Sequence, residues 1–407
     1  MKPGLVLIDY RSDRVYDIRG AEATARGHGF AAEHAGVLTL AGERGRFAFA
    51  DDLRGELVLC DENGDERGSR IPIATPAEHI AGDESGRYVA ITTGLGANAE
   101  AWSDVVTVAD IDLGSARRFR SRVGEPGVGI VRDRETGEPH IVFRHREPGS
   151  IEAVPLQSAL AVGPHVPVLR GEERDQVADD GHGDVADAKR GVFATSTSRG
   201  LERFVVTGGV PQPIGVVPWP VVGRAFYLRF DERAGAALGV VRGGPADPTA
   251  WADWTNHLVE VDLVTGATSH VRLPDGLAFR FALSRSRVAV VTIHPDGDEL
   301  TVIERGSSES GDGSKSTLDV IRRVSLPALS APPTPGHLPW DPVGDAPAQR
   351  RSVAIDPTGA MIAVTRGGDG ELHLITDDAF ETVAVPTSVD EGGLLLWCGG
   401  AYDGVGR

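Results

Sequence analysis

The sequence has only two cysteines, Cys60 and Cys398, in 407 residues. Each lies within an apolar stretch that is typical of a β-strand, where a free thiol usually behaves as a small buried hydrophobic side chain. So low a count argues against a disulfide framework and against a thiolate metal cluster. A chain of this length can form a large hydrophobic core without such cross-links.

Long hydrophobic runs are also lacking. The first apolar run has five residues and ends before Asp9, whereas the hydrophobic part of a secretory signal has roughly 7 to 15. No stretch approaches the roughly 20 apolar residues that a membrane-spanning helix needs. We therefore expect a soluble cytoplasmic protein, although the sequence leaves an unusual export route open.

Positive charge is scarce relative to negative charge. There are 41 Lys and Arg residues against 59 Asp and Glu residues, which gives a formal net charge of −18. Such a chain repels phosphate backbones and anionic membrane surfaces, so nucleic acid and membranes are poor partners. An acidic surface also keeps a large β protein in solution. The expected partner is a protein or a small polar molecule.

No segment has a sustained apolar period of 3.6 residues, so the sequence predicts an all-β fold. A short apolar strand, a polar turn and a second strand recur instead. The first strands of these hairpins are LVLID (5–9), LVLCD (57–61), VTVAD (106–110), LVEVD (258–262), LTVIE (300–304) and LHLIT (372–376). Another strand pair precedes most of them, most clearly at 79–94 and 352–367. Four strands in roughly 40 to 50 residues is the repeat of a β-propeller blade.

The two ends of the chain complete each other in this repeat. The chain begins with an outer hairpin at 5–18 and ends with an inner stretch at 392–400. A composite blade made from both would join the termini and remove exposed sheet edges. With seven internal blades, this predicts a single propeller domain over residues 1–407 with eight four-stranded blades. A seven-bladed ring with a displaced terminal strand is the alternative, because the last inner pair is cramped.

Two segments interrupt the repeat. Residues 306–317 are rich in Ser and Gly and have no apolar side chain to bury, so we expect a mobile loop in the outer hairpin of the sixth blade. Residues 327–350 form a long Pro-rich loop between blades. Loops of this kind are often lids, binding loops or linkers. A lid is one interpretation, since the loop contains His337, Trp340 and Asp341.

Two related segments, 101–114 and 253–266, each place a tryptophan just before the third strand of a blade, which is the first strand of its outer hairpin. We expect Trp102 and Trp254 to lie in the long loops between second and third strands. Packing over a blade edge is the expected role, because large aromatic side chains commonly supply much of a local core. Contact with a ligand is the alternative.

In a propeller the first strand of each blade lines the central channel, so polar residues on these strands converge. Aligning the inner strand pairs on their turns brings four residues to one channel-lining position: His79, Asp184, Arg280 and Ser352. The alignment is good to about one residue, which leaves Glu78 and Arg351 as neighbours that could face inward instead. We expect this level of the channel to bind an anion, a metal or a polar substrate.

The densest polar cluster, at 179–187, leads into the fourth inner strand. Carboxylates with one imidazole suit Mg, Mn or Ca, which makes Asp180, His182 and Asp184 candidate metal ligands. The segment lacks EF-hand spacing and no HExxH motif accompanies it, so an acidic connector is the alternative. A divalent cation is the one cofactor for which these residues leave room.

The segments HIAGDESGRYVAIT (79–92) and SVAIDPTGAMIAVT (352–365) resemble the repeats of YVTN-type and WD40-like β-propellers, including propeller lactonases and lyases. The likeness covers nearly the whole chain as a repeat, although third strands end in Asp or Glu where a WD dipeptide would stand. It implies a channel-mouth site in which His or carboxylate groups act with a divalent metal, and so points to His79, His182 and Asp184. No complete catalytic set of that family aligns onto this chain.

Other catalytic motifs are missing, because the sequence has no G-x-S-x-G elbow and no P-loop. Two hypotheses for function follow, since function resides in sites rather than in folds. The first is a protein-interaction platform with its partners on one face of the ring. The second is a metal-assisted lyase or hydrolase, lactonase-like, at the channel mouth. Its catalytic candidates are His79, His182 and Arg280, with Asp184 among the metal ligands.

Overall fold

The computed structural model describes residues 4–9, 12–31, 34–41, 46–94, 104–122, 124, 126–175, 177–310 and 313–398. In these residues the strands form eight four-stranded antiparallel sheets. The prediction of eight blades is therefore confirmed, and the seven-bladed alternative is wrong. No helix in this part of the chain is long and apolar enough to cross a membrane.

The strands follow one another along the chain with few interruptions. The first sixteen are β1 (Gly4–Ile8), β2 (Val15–Arg19), β3 (Glu22–Gly27), β4 (Val37–Thr39), β5 (Phe47–Asp51), β6 (Glu56–Cys60), β7 (Ile71–Pro72), β8 (Ala77–Gly82), β9 (Tyr88–Thr93), β10 (Val105–Asp110), β11 (Ser115–Arg120), β12 (Gly127–Arg132), β13 (Pro139–His145), β14 (Ser150–Pro155), β15 (Glu172–Asp175) and β16 (Asp184–Asp187). The others are β17 (Val192–Thr197), β18 (Gly200–Thr207), β19 (Val210–Val217), β20 (Arg224–Asp231), β21 (Ala236–Gly243), β22 (Thr255–Asp262), β23 (Thr268–Leu273), β24 (Leu277–Leu283), β25 (Arg287–Ile293), β26 (Glu299–Ser310), β27 (Gly313–Ser325), β28 (Val353–Ile355), β29 (Ile362–Arg366), β30 (Glu371–Ile375), β31 (Phe380–Ala384) and β32 (Leu394–Cys398). The helical elements are α1 (Leu156–Leu160) and two 3-10 turns, Pro248–Asp253 and Asp390–Gly392.

Seven blades are each built from four consecutive strands, starting with β4–β7 as the first blade and ending with β28–β31 as the seventh. From β4 around to β32, the inner strand of each blade contacts the inner strand of the next. Because neighbouring strands of a blade are antiparallel, every inner strand begins at the end of the channel where the second strands end. We call this end the channel mouth.

The eighth blade joins the two ends of the chain. Its strand order is β3-β2-β1-β32, with Leu5 opposite Trp397 in the ladder. The predicted composite blade is confirmed, but its division is corrected. The carboxyl end of the described chain supplies one inner strand rather than an inner pair, and the amino end supplies three strands rather than an outer hairpin. The last inner pair looked cramped because it is a single strand.

Apolar side chains between neighbouring blades form the core. At the seam between the eighth and first blades, Val6 and Ile8 pack with Phe47 and Phe49. Cys60 and Cys398 are buried in the same cluster as free thiols. Burial raises the pKa of Cys60 to about 12, so the prediction of buried structural cysteines is confirmed.

Aspartates at strand ends close many of the turns. Asp61 accepts the backbone N–H of Asn63 at 2.9 Å, and Asp262 accepts the N–H of Val264 at 2.9 Å. A short carboxylate that binds its own downstream backbone fixes a turn locally. This explains why third strands of this chain end in an acidic residue.

The segment 306–317 is a strand pair rather than a loop. β26 and β27 continue their ladder from Gly306 opposite Thr317 to Ser310 opposite Gly313. Residues 311–312 lie outside the described part of the chain. The loop prediction was wrong because backbone hydrogen bonds form a ladder without any apolar side chain to bury, whereas the predicted mobility stays a prediction.

Candidate functional site

The structure divides the four predicted channel-lining residues between two walls of the channel mouth. His79 lies in β8 and Asp184 begins β16, so these two belong to the second and fourth blades. Arg280 lies in β24, and Ser352 directly precedes β28. Burial lowers the pKa of His79, the charge of Asp184 opposes this shift, and the charge of Arg144 adds to it.

Arg144 and Asp184 form a buried ion pair between the third and fourth blades. The Nε of Arg144 donates to Oδ1 of Asp184 at 3.0 Å, and its Nη2 donates to Oδ2 at 3.0 Å. The two side chains are only 3% and 2% exposed. A bidentate pair of this kind fixes the guanidinium plane as well as its position.

Gly127 makes room for this pair. It begins β12 and lies opposite Arg144 in the ladder. A Cβ added at Gly127 would lie 1.9 Å from Oδ2 of Asp184 and 2.9 Å from Nη2 of Arg144. Any other residue would therefore push the pair apart.

One nitrogen of Arg144 is left without a partner. Its Nη1 is buried and makes no hydrogen bond to the described residues. A buried donor without an acceptor costs about 1 to 3 kcal/mol, and more when the group is charged. An acceptor from outside the chain would remove this cost.

Two histidines lie near the pair and stay neutral. Burial, together with the positive charges of Arg146 and Arg144, lowers the pKa of His182 to about 4. Burial also lowers the pKa of His79, although the carboxylate of Asp184 opposes the shift. Each neutral imidazole offers one donor and one acceptor.

Glu78 completes this wall. Its Oε2 lies 3.1 Å from Nδ1 of His34. Burial raises the pKa of Glu78, but the contact with His34 outweighs this effect and holds the pKa below its usual value. Glu78 was predicted as a neighbour that could face inward. We call Glu78, His79, Arg144, His182 and Asp184 the channel-mouth cluster.

The opposite wall is held together by backbone contacts. Arg280 donates to the carbonyl of Gly393 in the eighth blade, reaching past the seventh. The hydroxyl of Ser352 accepts the N–H of Leu395 at 3.2 Å. Arg351 does not face the channel, because its Nε donates to Asp298 at 2.6 Å in the interior. Ser352 is itself buried, so it links two inner strands rather than lining open space.

The structure does not bring the predicted metal ligands together. Oδ2 of Asp180 accepts from Arg224 at 2.9 Å and from the backbone N–H of Ser198 at 3.1 Å, while Asp184 is held by Arg144. In the part of the chain that the structure describes, no group of three His, Cys, Asp or Glu residues is arranged to hold a metal ion. Arginines occupy the carboxylates that the sequence suggested as ligands.

Two arginines and two aromatic rings form a further cluster in the fifth blade, next to the channel-mouth cluster. The guanidinium carbon of Arg242 lies 4.0 Å from the ring centre of Phe226 and 3.7 Å from that of Trp254. Arg224 lies 4.3 Å from the same Phe226 ring, and the ring of His182 meets Phe226 edge-on at 5.6 Å. Trp254 lies between β21 and β22 and is buried, as the packing interpretation predicted. Trp102 lies outside the described residues.

Sequence reasoning missed Arg144, Arg224 and Arg242. Arg144 and Arg242 are the next-to-last residues of second strands, and the alignment considered first strands only. Arg224 begins an inner strand, but a bulge between Ala225 and Leu228 shifts its register. A charged residue at the end of an otherwise apolar run, as in HIVFRH (140–145), was the available signal.

The Pro-rich connection between the sixth and seventh blades has no helix or strand between Leu326 and Ser352. It returns toward the fifth blade, where the N–H of Gly336 donates to the carbonyl of Thr249 at 3.0 Å. Trp340 is 54% exposed. The predicted role as a lid stays a prediction.

The sequence matches no protein-family model and no curated protein sequence. Among solved structures, apo AztD from Citrobacter koseri matches with a TM-score of 0.63 and 13% identity, over 98% of this chain and 99% of that chain. The dihydro-heme d1 dehydrogenase NirN, solved in complex with DHE, matches with a TM-score of 0.51 and 14% identity, over 98% of this chain and 73% of that chain. The WD40 repeats of RRP9 match with a TM-score of 0.48 and 12% identity, over 89% of this chain and 93% of that chain.

The eight four-stranded sheets and the contacts between successive inner strands decide the architecture. The chain is a β-propeller. The predicted propeller repeat is therefore confirmed for the architecture. Identities this low show the fold alone, so the ligands and reactions of these proteins are not transferred to this propeller.

Proposed function

We propose that this propeller is a binding protein that holds a small polar ligand, or a polar group of a protein partner, at its channel mouth. The observation that carries the proposal is Nη1 of Arg144, a buried cationic donor without a partner among the described residues. A ligand oxygen at this position would satisfy it. The neutral imidazoles of His79 and His182 would supply further hydrogen bonds.

The same geometry favours binding over catalysis. A general acid or base works best when its pKa is near the working pH. Burial lowers the pKa of His182 to about 4, which makes it a weak base at neutral pH. Asp184 is occupied by Arg144 and so is a poor metal ligand or nucleophile. The metal-assisted lyase therefore has less support than the binding role.

The expected ligand carries at least one oxygen acceptor. Arg144 needs an acceptor, the imidazoles accept or donate, and Glu78 accepts. A sugar acid, a hydroxy acid or an amide would fit this pattern. A bulky apolar ligand would leave the donors unpaired and would bind poorly.

A thermal-shift screen with sugars, carboxylates, amides and phosphates at millimolar concentration tests the proposal. A ligand of the cluster should raise the melting temperature of the wild type, and His79→Leu and His182→Leu should lose most of this shift. His373→Leu is the matched control, because burial also lowers the pKa of His373 to about 4 in the outer half of the seventh blade. Failure of every compound, or equal shifts in all variants, would contradict the proposal.

The partner class and the compartment are part of the same proposal. The excess of acidic residues, with a net charge of −18, supports a role without nucleic acid or membrane partners. The cytoplasm is the compartment that the two free cysteines favour. A pull-down from cell extract, repeated with His182→Leu, would identify a protein partner that depends on the channel mouth.

A further inference from the structure

Arg224 and Arg242 lie directly opposite each other at the channel mouth of the fifth blade. Arg224 begins the inner strand β20, and its ladder partner in β21 is Arg242. Like charges that face each other across a strand pair are destabilising. A negatively charged group next to both side chains would offset this repulsion.

Only one of the two arginines has a carboxylate partner among the described residues. Arg224 donates through Nη1 to Oδ2 of Asp180 at 2.9 Å and to its carbonyl oxygen at 3.1 Å. The side chain of Arg242 makes no hydrogen bond or ion pair with the residues that the structure describes. Burial and the charge of Arg224 lower the pKa of Arg242 to about 10.

Two aromatic rings stack on the guanidinium of Arg242. Phe226 and Trp254 lie 4.0 and 3.7 Å from the guanidinium carbon, which is the distance of a ring stacked on the face of the group. The N–H donors of a guanidinium point outward within its plane, so stacking leaves them unpaired. Arg242 is partly exposed, so a ligand can reach this edge.

We propose that Arg242, with Arg224 beside it, is an oxyanion-binding site for a carboxylate or phosphate group. The group would accept two parallel hydrogen bonds in the guanidinium plane, the geometry that arginine prefers for these anions. Its negative charge would offset the repulsion between the two arginines. The site borders the channel-mouth cluster, since the ring of His182 meets Phe226. It uses different donors, however, and does not depend on the proposed function.

Calorimetric titration of the full chain with inorganic phosphate and, separately, with acetate tests this site. We expect one of the two anions to bind, and which one binds identifies the group. Arg242→Gln should weaken binding about tenfold or more, because both charge-assisted bonds are lost. The anion affinity of Arg242→Lys should lie between that of the wild type and that of Arg242→Gln. Lysine keeps the positive charge but lacks the two parallel N–H donors of the guanidinium. Thermal melts of both variants would show that they are folded.

Arg87→Gln is the matched control. Arg87 also stacks on an aromatic ring, at 5.0 Å from the centre of Tyr88, but it already has a carboxylate partner in Asp110 at 2.8 Å. Anion affinity should be unchanged in this variant. Equal affinity in wild type and Arg242→Gln, or no binding of either anion at millimolar concentration, would overturn the proposal.

The two proposals fail separately. His79→Leu should weaken ligand binding at the channel-mouth cluster and leave the affinity for phosphate or acetate within about twofold, a small change on the scale of 1.4 kcal/mol for a tenfold effect. His182 is not used for this comparison, because its ring contacts Phe226. If His79→Leu loses the anion while Arg242→Gln keeps it, the anion belongs to the channel-mouth cluster and the Arg242 site is wrong.

Discussion

Arg144 and Arg242 occupy the same position in two different blades, and they have opposite surroundings. Each lies opposite the first residue of its inner strand, which is Gly127 in the third blade and Arg224 in the fifth. Arg144 passes the glycine and reaches Asp184, the first residue of the next inner strand. The corresponding residue after Arg242 is Leu277, which begins β24 and is apolar.

The comparison shows how one propeller position can be structural in one blade and available to a ligand in another. A carboxylate from the next blade accepts hydrogen bonds from two nitrogens of the Arg144 guanidinium. Aromatic rings cover the faces of Arg242 and leave its edge free of described partners. The difference depends on single residues in the neighbouring strands, so it can be broken by single substitutions.

The largest effect is expected from breaking the Arg144–Asp184 pair. Asp184→Ala leaves a buried guanidinium without its counter-charge, and such losses cost about 3 to 5 kcal/mol. Arg144→Leu should cost a similar amount, because the carboxylate is then left alone. The double variant Arg144→Leu/Asp184→Leu should recover most of the loss, since no buried charge remains. Urea unfolding measures the free energies, and additive single effects would contradict a coupled pair.

The second effect is a loss of stability in acid. The unfolded chain protonates histidine near pH 6.5, whereas His182 in the fold stays neutral down to about pH 4. The free energy of unfolding should therefore fall as the pH drops from about 6.5 to about 4, by up to about 3 kcal/mol for this group. The groups that set the shift besides burial are Arg146, Arg144, His79 and Asp184.

His182→Gln separates this histidine from other acid-sensitive groups. The variant should be less sensitive to pH between about 6.5 and about 4 than the wild type in urea unfolding. His373→Gln removes a histidine whose pKa is also about 4, but in the seventh blade. This variant should also make the free energy of unfolding less dependent on pH between about 6.5 and about 4, while ligand binding at the channel mouth stays intact. An unchanged slope in His182→Gln would show that His182 does not titrate as proposed.

A smaller effect is expected from filling the space above the ion pair. Gly127→Ala places a methyl group against Asp184, and overpacking of this kind costs about 1 to 3 kcal/mol. Gly163→Ala is the control, because a Cβ there has nothing within 4 Å and the backbone angle is not in the left-handed region. The control should change the urea midpoint little. Equal effects of the two substitutions would mean that the pair moves aside at no cost.

The repeat made most of this fold readable from the sequence. The hairpin at 57–73 and the inner pair at 79–94 predicted four-stranded blades. The strands missing from the repeat at the two ends predicted that both ends share one blade and close the ring. The division of the composite blade was not readable, because a single strand and a cramped pair have the same apolar pattern. Residues 306–317 were misjudged because their strands pair through backbone hydrogen bonds, which polar side chains do not indicate in the sequence.

The site was harder to predict than the fold. His79 was predicted to line the channel because it lies on an inner strand, although a bulge between Ala77 and His79 shifts the register there. A second bulge, between Ala278 and Phe281, displaces the region of Arg280. Bulges insert one residue without a marked signature in the sequence. Arg144 could not be paired with Asp184 from sequence alone, because the contact joins two blades.

The smallest effect should come from Arg242, and this contrast is the sharpest test of the comparison. Arg242→Leu leaves no carboxylate without a partner among the described residues, and it relieves the repulsion with Arg224. It also removes the cation from between two rings, an interaction of about 0.5 to 2 kcal/mol. These terms oppose each other, so the free energy of unfolding should change by less than about 1 kcal/mol. Urea unfolding of Arg144→Leu and Arg242→Leu under the same conditions measures the difference. A loss at Arg242 as large as that at Arg144 would show that a buried counter-charge holds Arg242 as well, and the distinction between a structural arginine and a binding arginine would then fail.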